Sequence, residues 1–442
     1  MMASLNAKAR TQVTRYARET TRLTQAAKLL TIVKDAPDRL DIVHELQRML
    51  IRELVRTERR IIRLKKARHR LTRIKARERL SKEKAKILKT LIKKLDERID
   101  DLRHLLFLWR CFGDGIPAIY QSKYSLKHLF YGSNYNVKEE AGFLSGKAGF
   151  RKEYKALCLG IRMQVPVVMS DLTNIIRHGD VCGLGGRDPV PIEMKSSTNL
   201  NARVSRQTEQ LQILSNFYAN DGAANFRGMP NTIRVELKNP EVTYERDLNE
   251  CMLRAQSEGI AVSSPEPGLH YFSFSLEYFD KFPNRIDEQL AALVSRTTLF
   301  VQLTPEPSWL PLYPFTLSMN TQNVIPFIQE DLYLAVLIDM NVMKSNFQAN
   351  GIHATVMMDG IHAWQICPDP SDLMKGVFRI SEQLFLRVAC EFQSLRWFVE
   401  EHSLVFSSAV ENLDQLTPDS PGLIYEPLPG WQGLKCLFDD SN

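Results

Sequence analysis

The most informative part of the chain is residues 179–195, GDVCGLGGRDPVPIEMK. Apolar runs on either side of a glycine-rich centre predict two strands joined by a turn at 183–189. Asp180 lies on the first strand. Glu193 and Lys195 lie two residues apart on the second, so both project from the same face. Because the turn folds Asp180 back against that face, two carboxylates and a lysine are expected to converge.

The chemistry of these three side chains fits a site for hydrolysing a phosphodiester. Carboxylates are the ligands that Mg²⁺ or Mn²⁺ prefers, and a lysine beside them can orient or help deprotonate a metal-bound water. The alternative is a solvated ion pair on the edge of an ordinary α/β sheet. The apolar run 190–194 favours the first interpretation, because it indicates a central strand, where a charged pair calls for a reason.

This segment resembles the PD-(D/E)XK nuclease superfamily, whose signature is an Asp on one strand and Glu-x-Lys on the next. The resemblance covers about residues 150–240, and one departure is that Gly179, not a proline, precedes Asp180. Family members often carry a Glu on the helix before the hairpin, and Glu153 matches. They also carry Gln, Lys or Arg on the helix after it. Four residues at i, i+3, i+4 and i+7 match that position: Arg203, Arg206, Gln207 and Gln210.

The resemblance implies roles for the signature residues. Asp180 and Glu193 would bind Mg²⁺ (or Mn²⁺), with the Met194 carbonyl as a backbone ligand. Lys195 would position the attacking water and offset the charge that develops on the phosphate.

The outer residues have implied roles as well. Glu153 would hold a second metal or shape the first site, and Gln207 or Gln210 would orient substrate or water. The implied fold is α/β, a restriction-endonuclease-like mixed sheet flanked by helices.

Two competing motifs are weaker. A second Glu-x-Lys, Glu236 to Lys238 with Asp221 upstream, is read as the next core strand. Residues 142–148 are one residue short of phosphate-binding loop spacing, and Ala148 stands where that loop needs Ser or Thr. Neither is taken as the site.

A long basic α-helical coiled-coil hairpin is predicted before this core. Residues 38–110 contain no glycine or proline, and their apolar residues follow heptad spacing. Ser81 can cap a new helix, which favours helices near 38–79 and 82–110 over one continuous helix. The glycines and proline of 112–117 are expected to end the second helix.

The hairpin is strongly basic. Residues 1–100 carry 29 Lys and Arg against 12 Asp and Glu, and the whole chain carries 58 against 51. Such density predicts binding to phosphate backbones, whereas a solvated coiled-coil face or an acidic partner is the alternative. The residues expected to contact nucleic acid are Arg60, Arg63, Lys66, Arg70, Arg73, Arg203 and Arg206.

The chain as a whole reads as four segments. These are a basic N-terminal helical segment (1–35), the coiled-coil hairpin (36–111), the nuclease core (112–240) and a C-terminal α/β region of unknown role (241–442). Scattered cysteines, no secretory signal and no apolar spanning stretch lead us to expect a cytoplasmic protein without a membrane partner.

The sequence therefore predicts a metal-dependent phosphodiester hydrolase. We expect a DNA endonuclease, with DNA favoured over RNA, in bacterial defence against phage or foreign DNA, and a homo-oligomer formed through the coiled coil. The alternatives are a non-catalytic oligomeric scaffold or nucleic-acid-binding protein with a vestigial nuclease fold, and an RNA-cutting toxin.

Overall fold

The protein is mixed α/β, with long helices near its N-terminus and small antiparallel sheets. A computed structural model describes residues 16–77, 80–132, 136–139, 142–194 and 202–411. The chain divides into two compact units. The first contains the described residues from Tyr16 to Thr232 together with Pro305–Thr321, and the second contains Ile233–Thr304 and the described residues from Gln322 to Glu411.

The first unit is built from six labelled helices and five strands. The helices are α1 Thr20–Asp35, α2 Leu40–Arg77, α3 Lys82–Tyr120, α4 Lys123–Leu126, α5 Phe150–Arg162 and α6 Ala202–Asn220. The strands are β1 Val167–Met169, β2 Val181–Gly183, β3 Val190–Ile192, β4 Gly222–Phe226 and β5 Met229–Ile233. A short helix at Phe315–Ser318 also belongs to this unit.

Helices α2 and α3 form the predicted hairpin within one chain. The Ser81 side chain accepts a hydrogen bond from the Lys84 backbone amide at 3.4 Å, as a cap for α3. Arg68 and Asp96, at similar distances on either side of Ser81, form an ion pair. The two helices are therefore antiparallel neighbours rather than one continuous helix.

The hairpin is buried at its base and exposed toward its turn. At the base, heptad residues such as Leu54, Ile61 and Leu102 are buried, and α1 packs against both helices. Between residues 62 and 98, no described residue is buried. We call this exposed part, residues 62–77 and 80–98, the arm. In the arm, α2 and α3 cover each other's apolar residues only in part, whereas at the base α1 also packs on them. The base therefore carries the core of the unit.

Helix α3 continues to Tyr120, so the expectation that residues 112–117 end it is wrong. Gly113 provides space for a close backbone contact, because an added Cβ would lie 1.8 Å from the Leu172 carbonyl oxygen. Next to it, the buried Asp114 carboxylate accepts hydrogen bonds from the backbone amides of Asn174 (2.7 Å) and Ile175 (3.0 Å). Tertiary contacts thus keep this glycine-containing segment helical.

Strands β1, β2 and β3 form an antiparallel sheet in that order. Helix α5 precedes the sheet and packs on β1 and β2, and α6 follows it. Among the described residues every ladder is antiparallel, so the mixed sheet implied by the resemblance is not seen. The central strand is β2, whereas β3 lies at the described edge with Val190 and Ile192 exposed. The expected central position of β3 is therefore wrong.

The second unit contains two further antiparallel sheets. One has the order β6-β7-β9-β8 and the other the order β10-β11-β12. Their bounds are β6 Ile260–Glu266, β7 Leu269–Ser275, β8 Thr298–Leu303, β9 Leu332–Asp339, β10 His353–Val356, β11 His362–Cys367 and β12 Phe378–Ser381. Helices of this unit are α7 Glu245–Glu258, α8 Leu276–Lys281, α9 Pro283–Leu293, α10 Thr321–Ile328, α11 Met340–Ala349, α12 Glu382–Phe385, α13 Arg387–Cys390 and α14 Leu395–Glu411.

The compact units do not follow the four segments read from the sequence. The N-terminal helix, the hairpin and the region of residues 112–232 share one unit, because the base of the hairpin supplies the core on which the short strands pack. The segment from Glu236 to Lys238, expected to be the next core strand, is not a strand, because β5 ends at Ile233.

Replacing Gly113 with alanine tests this packing. In an ordinary helix the change stabilises by roughly 0.5–1 kcal/mol, but here the new methyl group collides with the Leu172 carbonyl. We expect a loss of roughly 1–3 kcal/mol in the free energy of unfolding, measured with urea. Gly142→Ala is the matched control, because an added Cβ there meets nothing within 4 Å. Equal or higher stability of Gly113→Ala would contradict the close contact.

Candidate functional site

The strand pair β2–β3 brings Asp180 beside Glu193 and Met194. Val181 pairs with Ile192 across the ladder, and the Asp180 amide donates to the Ile192 carbonyl at 2.9 Å. The Asp180 carboxylate accepts a hydrogen bond from the Met194 backbone amide, also at 2.9 Å. The predicted hairpin thus places the two signature carboxylates at neighbouring positions, immediately outside the described strands.

A lysine that the motif did not predict lies among the carboxylates. The Lys147 ammonium contacts carboxylate oxygens of Asp171 at 2.7 Å, Glu153 at 3.0 Å and Asp180 at 3.2 Å. We call these four residues the Lys147 cluster. Glu153 and Asp171 are buried, while the Lys147 side chain is 28% exposed. The cluster is therefore accessible to solvent through its lysine.

Local structure explains how the two outer acids reach the cluster. Glu153 lies in the first turn of α5, where a carboxylate is favourable near the helix N-terminus. It folds back over Gly149, and an added Cβ at that glycine would lie 2.6 Å from a Glu153 carboxylate oxygen. Asp171 follows β1 directly, in a single 3₁₀ turn. Both acids thus approach Lys147 from elements that flank the small sheet.

The base of the hairpin holds the loop that carries Lys147. The buried Glu58 carboxylate, on α2, accepts hydrogen bonds from the backbone amides of Leu144 (3.0 Å) and Ser145 (2.7 Å). On α3, the buried Arg110 guanidinium donates to the carbonyls of Asp171 and Gly142, each at 3.2 Å. The two long helices therefore position the lysine and one of its acids.

Two opposing effects set the pKa values of the glutamates in and beside the cluster: burial raises them and the lysine lowers them. Burial raises the pKa of Glu193, the nearby Asp180 charge raises it further, and Lys138 and Lys147 lower it. Burial likewise raises the pKa of Glu153, against the lowering effect of Lys147. For Lys147 itself, burial alone would lower the pKa, but its carboxylate partners raise it overall. The lysine therefore stays charged.

His178, two residues before Asp180, belongs to the local structure. Its ring is buried, with one nitrogen 2.9 Å from the Tyr131 carbonyl and the other 3.3 Å from the Lys138 ammonium. Burial lowers the pKa of His178 to about 4. The ring is thus neutral and supports the start of β2.

The donors of the cluster suit a hard divalent cation in kind, because they are carboxylate oxygens and carry several negative charges. Their spacing suits an ammonium ion: they surround Lys147 at 2.7–3.2 Å, whereas Mg²⁺–oxygen distances are about 2.1 Å. Accordingly, no group of three or more His, Cys, Asp or Glu among the described residues is arranged to hold a metal. A metal ion would have to displace Lys147.

Several predicted site residues lie away from this geometry or outside the described part. Lys195 falls outside the described residues, and so does the side chain of Arg203. Gln207 and Gln210 are half-buried on α6, and no hydrogen bond joins either to the cluster among the described residues. Arg206 is exposed on the same helix.

The expected nucleic-acid contacts on α2 divide into two kinds. Four of them are exposed on the arm: Arg63, Lys66, Arg70 and Arg73. Arg60 differs, because its guanidinium pairs with the buried carboxylate of Glu19 at 2.9 Å. We therefore assign Arg60 to the base of the hairpin.

Lys147 and Asp171 are the cluster members that the sequence analysis missed. Lys147 belongs to residues 142–148, which the sequence analysis tested as a phosphate-binding loop and rejected because of their spacing. The Gly-Lys pair there was not considered as part of the carboxylate site. Asp171 carried a weaker signal, a carboxylate directly after an apolar strand. Neither residue lies within the hairpin motif, and only folding brings them to it.

Comparison with known proteins gives no relative: no family model, curated protein or solved structure matches this chain. Among the described helices, none combines the length and apolar character needed to span a bilayer. The chemistry of the site therefore has to be argued from its own residues.

Replacing Lys147 with methionine should make the free energy of unfolding depend more strongly on pH than it does in the wild type. Without the ammonium group, the pKa of Glu153 in the folded state rises further above its unfolded value. A carboxyl group of that kind binds more protons when folded, so stability is lost as pH rises through the interval between the two pKa values. We expect the loss of unfolding free energy to be larger at about pH 8 than at about pH 5.

Urea unfolding of wild type and variant at both pH values measures the effect. Lys155→Met, at an exposed position on α5, is the matched control and should change stability little at either pH. A Lys147→Met penalty that is the same at both pH values would show that the lysine does not balance the carboxylates.

Proposed function

We propose that the protein is a metal-dependent phosphodiester hydrolase, a nuclease of the PD-(D/E)XK type acting on DNA. The observation that carries this proposal is the convergence of Asp180 with Glu193, Glu153 and a lysine beside one small sheet. The order helix α5, three strands, helix α6 supports the fold type. The antiparallel pairing of the described strands departs from that fold type, whose sheet is mixed.

In this proposal Asp180, Glu193 and the Met194 carbonyl hold Mg²⁺ or Mn²⁺, which when bound would polarise the phosphate and lower the pKa of a water. Glu153 supplies further negative charge from the first turn of α5. Gln207 or Gln210, on the face of α6 that the resemblance singles out, would orient substrate or water.

Two lysines can serve as the basic group. The motif assigns Lys195, which lies two residues beyond Glu193 on the same chain segment. Geometry adds Lys147, whose ammonium already contacts Asp180. If a divalent ion replaced it among the carboxylates, the Lys147 ammonium would be able to approach the phosphate, where a positive charge would offset the developing negative charge.

A non-catalytic scaffold with a vestigial nuclease fold is the second candidate. The observation that favours it is the lysine at the centre of the carboxylates, since an internal cation satisfies the cluster without metal. The two candidates differ in whether divalent metal binds at Asp180 and Glu193. A role in bacterial defence against phage or foreign DNA stays a prediction, with expression toxicity that disappears in Glu193→Gln as its readout.

Cleavage of supercoiled plasmid tests the proposal. With Mg²⁺ or Mn²⁺ we expect nicking by the wild-type protein, none in the absence of divalent metal, and rates lowered by a factor of about 10² or more in Asp180→Asn, Glu193→Gln and Lys195→Ala. The reason is that each change removes a group assigned to the metal or the attacking water. Glu209→Gln, at an exposed position on α6, is the control and should cleave normally.

Calorimetric titration with Mn²⁺ separates the two candidates when no cleavage is seen. Binding by the wild type that weakens in Asp180→Asn and tightens in Lys147→Met supports a regulated enzyme. The absence of binding in both the wild type and Lys147→Met would rule out the metal site and favour the scaffold.

A further inference from the structure

The arm is an exposed and largely unneutralised basic surface. Among the described residues, three ion pairs involve the arm: Arg68 with Asp96, Lys93 with Glu97, and Arg98 with Asp101. Self-repulsion of so many cations is unfavourable unless an anionic partner lies against them. The arm therefore carries more positive charge than folding requires.

One face of α2 gathers these cations into a shallow groove. The groove has a volume of about 430 Å³ and is lined by Ile62, Lys65, Lys66, His69, Arg70 and Arg73. These positions follow i, i+3, i+4, i+7, i+8 and i+11, which is one stripe along a helix. None of the four Lys and Arg side chains in it is paired with an acid in the described part of the chain.

The groove leads to the loop of the Lys147 cluster. The Lys65 ammonium lies 5.9 Å from the centroid of the Phe143 ring, which belongs to that loop. One residue further on, the backbone amides of Leu144 and Ser145 are held by Glu58, two helical turns before Lys65. A molecule lying along the groove thus reaches the segment that carries Lys147.

The shape and chemistry of the groove select its occupant. At 1.5 Å per residue, the cations from Lys65 to Arg73 span about 12 Å of helix axis, and a nucleic-acid duplex carries one negative charge per about 1.7 Å of its axis. Residues 62–94 contain no Phe, Tyr or Trp, so the imidazole of His69 is the one ring in this stretch on which an unpaired base could stack. A row of cations with a single small ring favours the phosphate backbones of a double helix over unpaired bases.

We infer that this groove on α2 binds the phosphate backbone of double-stranded nucleic acid, without reading its sequence, and directs the duplex toward the Lys147 cluster. Binding follows from the arm alone, whereas delivery for cleavage rests on the proposed function. The inference applies to this face of α2 alone, because the lysines of the first turn of α3, although exposed, lie outside the groove.

Binding to a labelled duplex in EDTA tests the inference without interference from cleavage. In the groove variant, Lys66, Arg70 and Arg73 are each replaced by glutamate. The control variant changes Lys82, Lys84 and Lys86 to glutamate, which alters the net charge equally at exposed positions. We expect the groove variant to bind duplex about tenfold or more weakly than the wild type. The slope of log K against the logarithm of the salt concentration should be smaller in magnitude by about 3, and both quantities should change far less in the control.

Three results would overturn the inference. These are an equal loss in both variants, no loss in the groove variant, and tighter binding to single strands or to phosphatidylserine vesicles than to duplex DNA or RNA. Circular dichroism and urea unfolding should show both variants folded, since the replaced side chains are exposed.

The same proteins distinguish this inference from the proposed function. Duplex binding that depends on the groove, without nicking in Mg²⁺ or Mn²⁺, would leave the groove standing and reject the nuclease. Metal-dependent nicking by a groove variant that still binds duplex normally would reject the groove and support the nuclease.

Discussion

Carboxylates that share a small, partly buried space repel one another unless a cation stands among them. The Lys147 ammonium supplies that cation, in contact with Glu153, Asp171 and Asp180. Helix α5, the turn after β1 and the start of β2 each contribute one acid, so the same charge joins three elements that are separate in sequence. The cluster therefore links the small sheet to the elements around it, in addition to the hydrogen bonds of its own short ladders.

The long helices serve two purposes along their length. At the base they form the core of the first unit and carry the polar side chains, Glu58 and Arg110, that fix the loop of Lys147. Beyond residue 61 they project as a basic surface with few internal partners. In the proposed function, the exposed arm would hold a duplex while the base of the same helices keeps the loop of Lys147 in place.

The local features of the fold were readable from sequence because they depend on neighbouring residues. The heptads around Ser81 predict a hairpin, and the glycine-rich turn with its flanking apolar runs predicts the pairing of Asp180 with Glu193. The continuation of α3 through Gly113 was not readable, because glycine ordinarily ends helices and only the nearby Leu172 backbone makes it favourable. The edge position of β3 likewise depends on which strands pair, and an apolar run does not specify that.

Local patterns in the chain were enough to predict the helical hairpin, its basic charge and the hairpin of strands that joins Asp180 to Glu193, since periodicity and turn chemistry act over short distances. Packing of distant segments is what brings Lys147 and Asp171 to the cluster and lets the base of the hairpin position them. Packing also determines that Arg60 pairs with Glu19 at the base of the hairpin while Arg70 faces solvent. The physical reason is that burial and charge pairing over long sequence separations depend on packing of the whole unit, which no local pattern encodes.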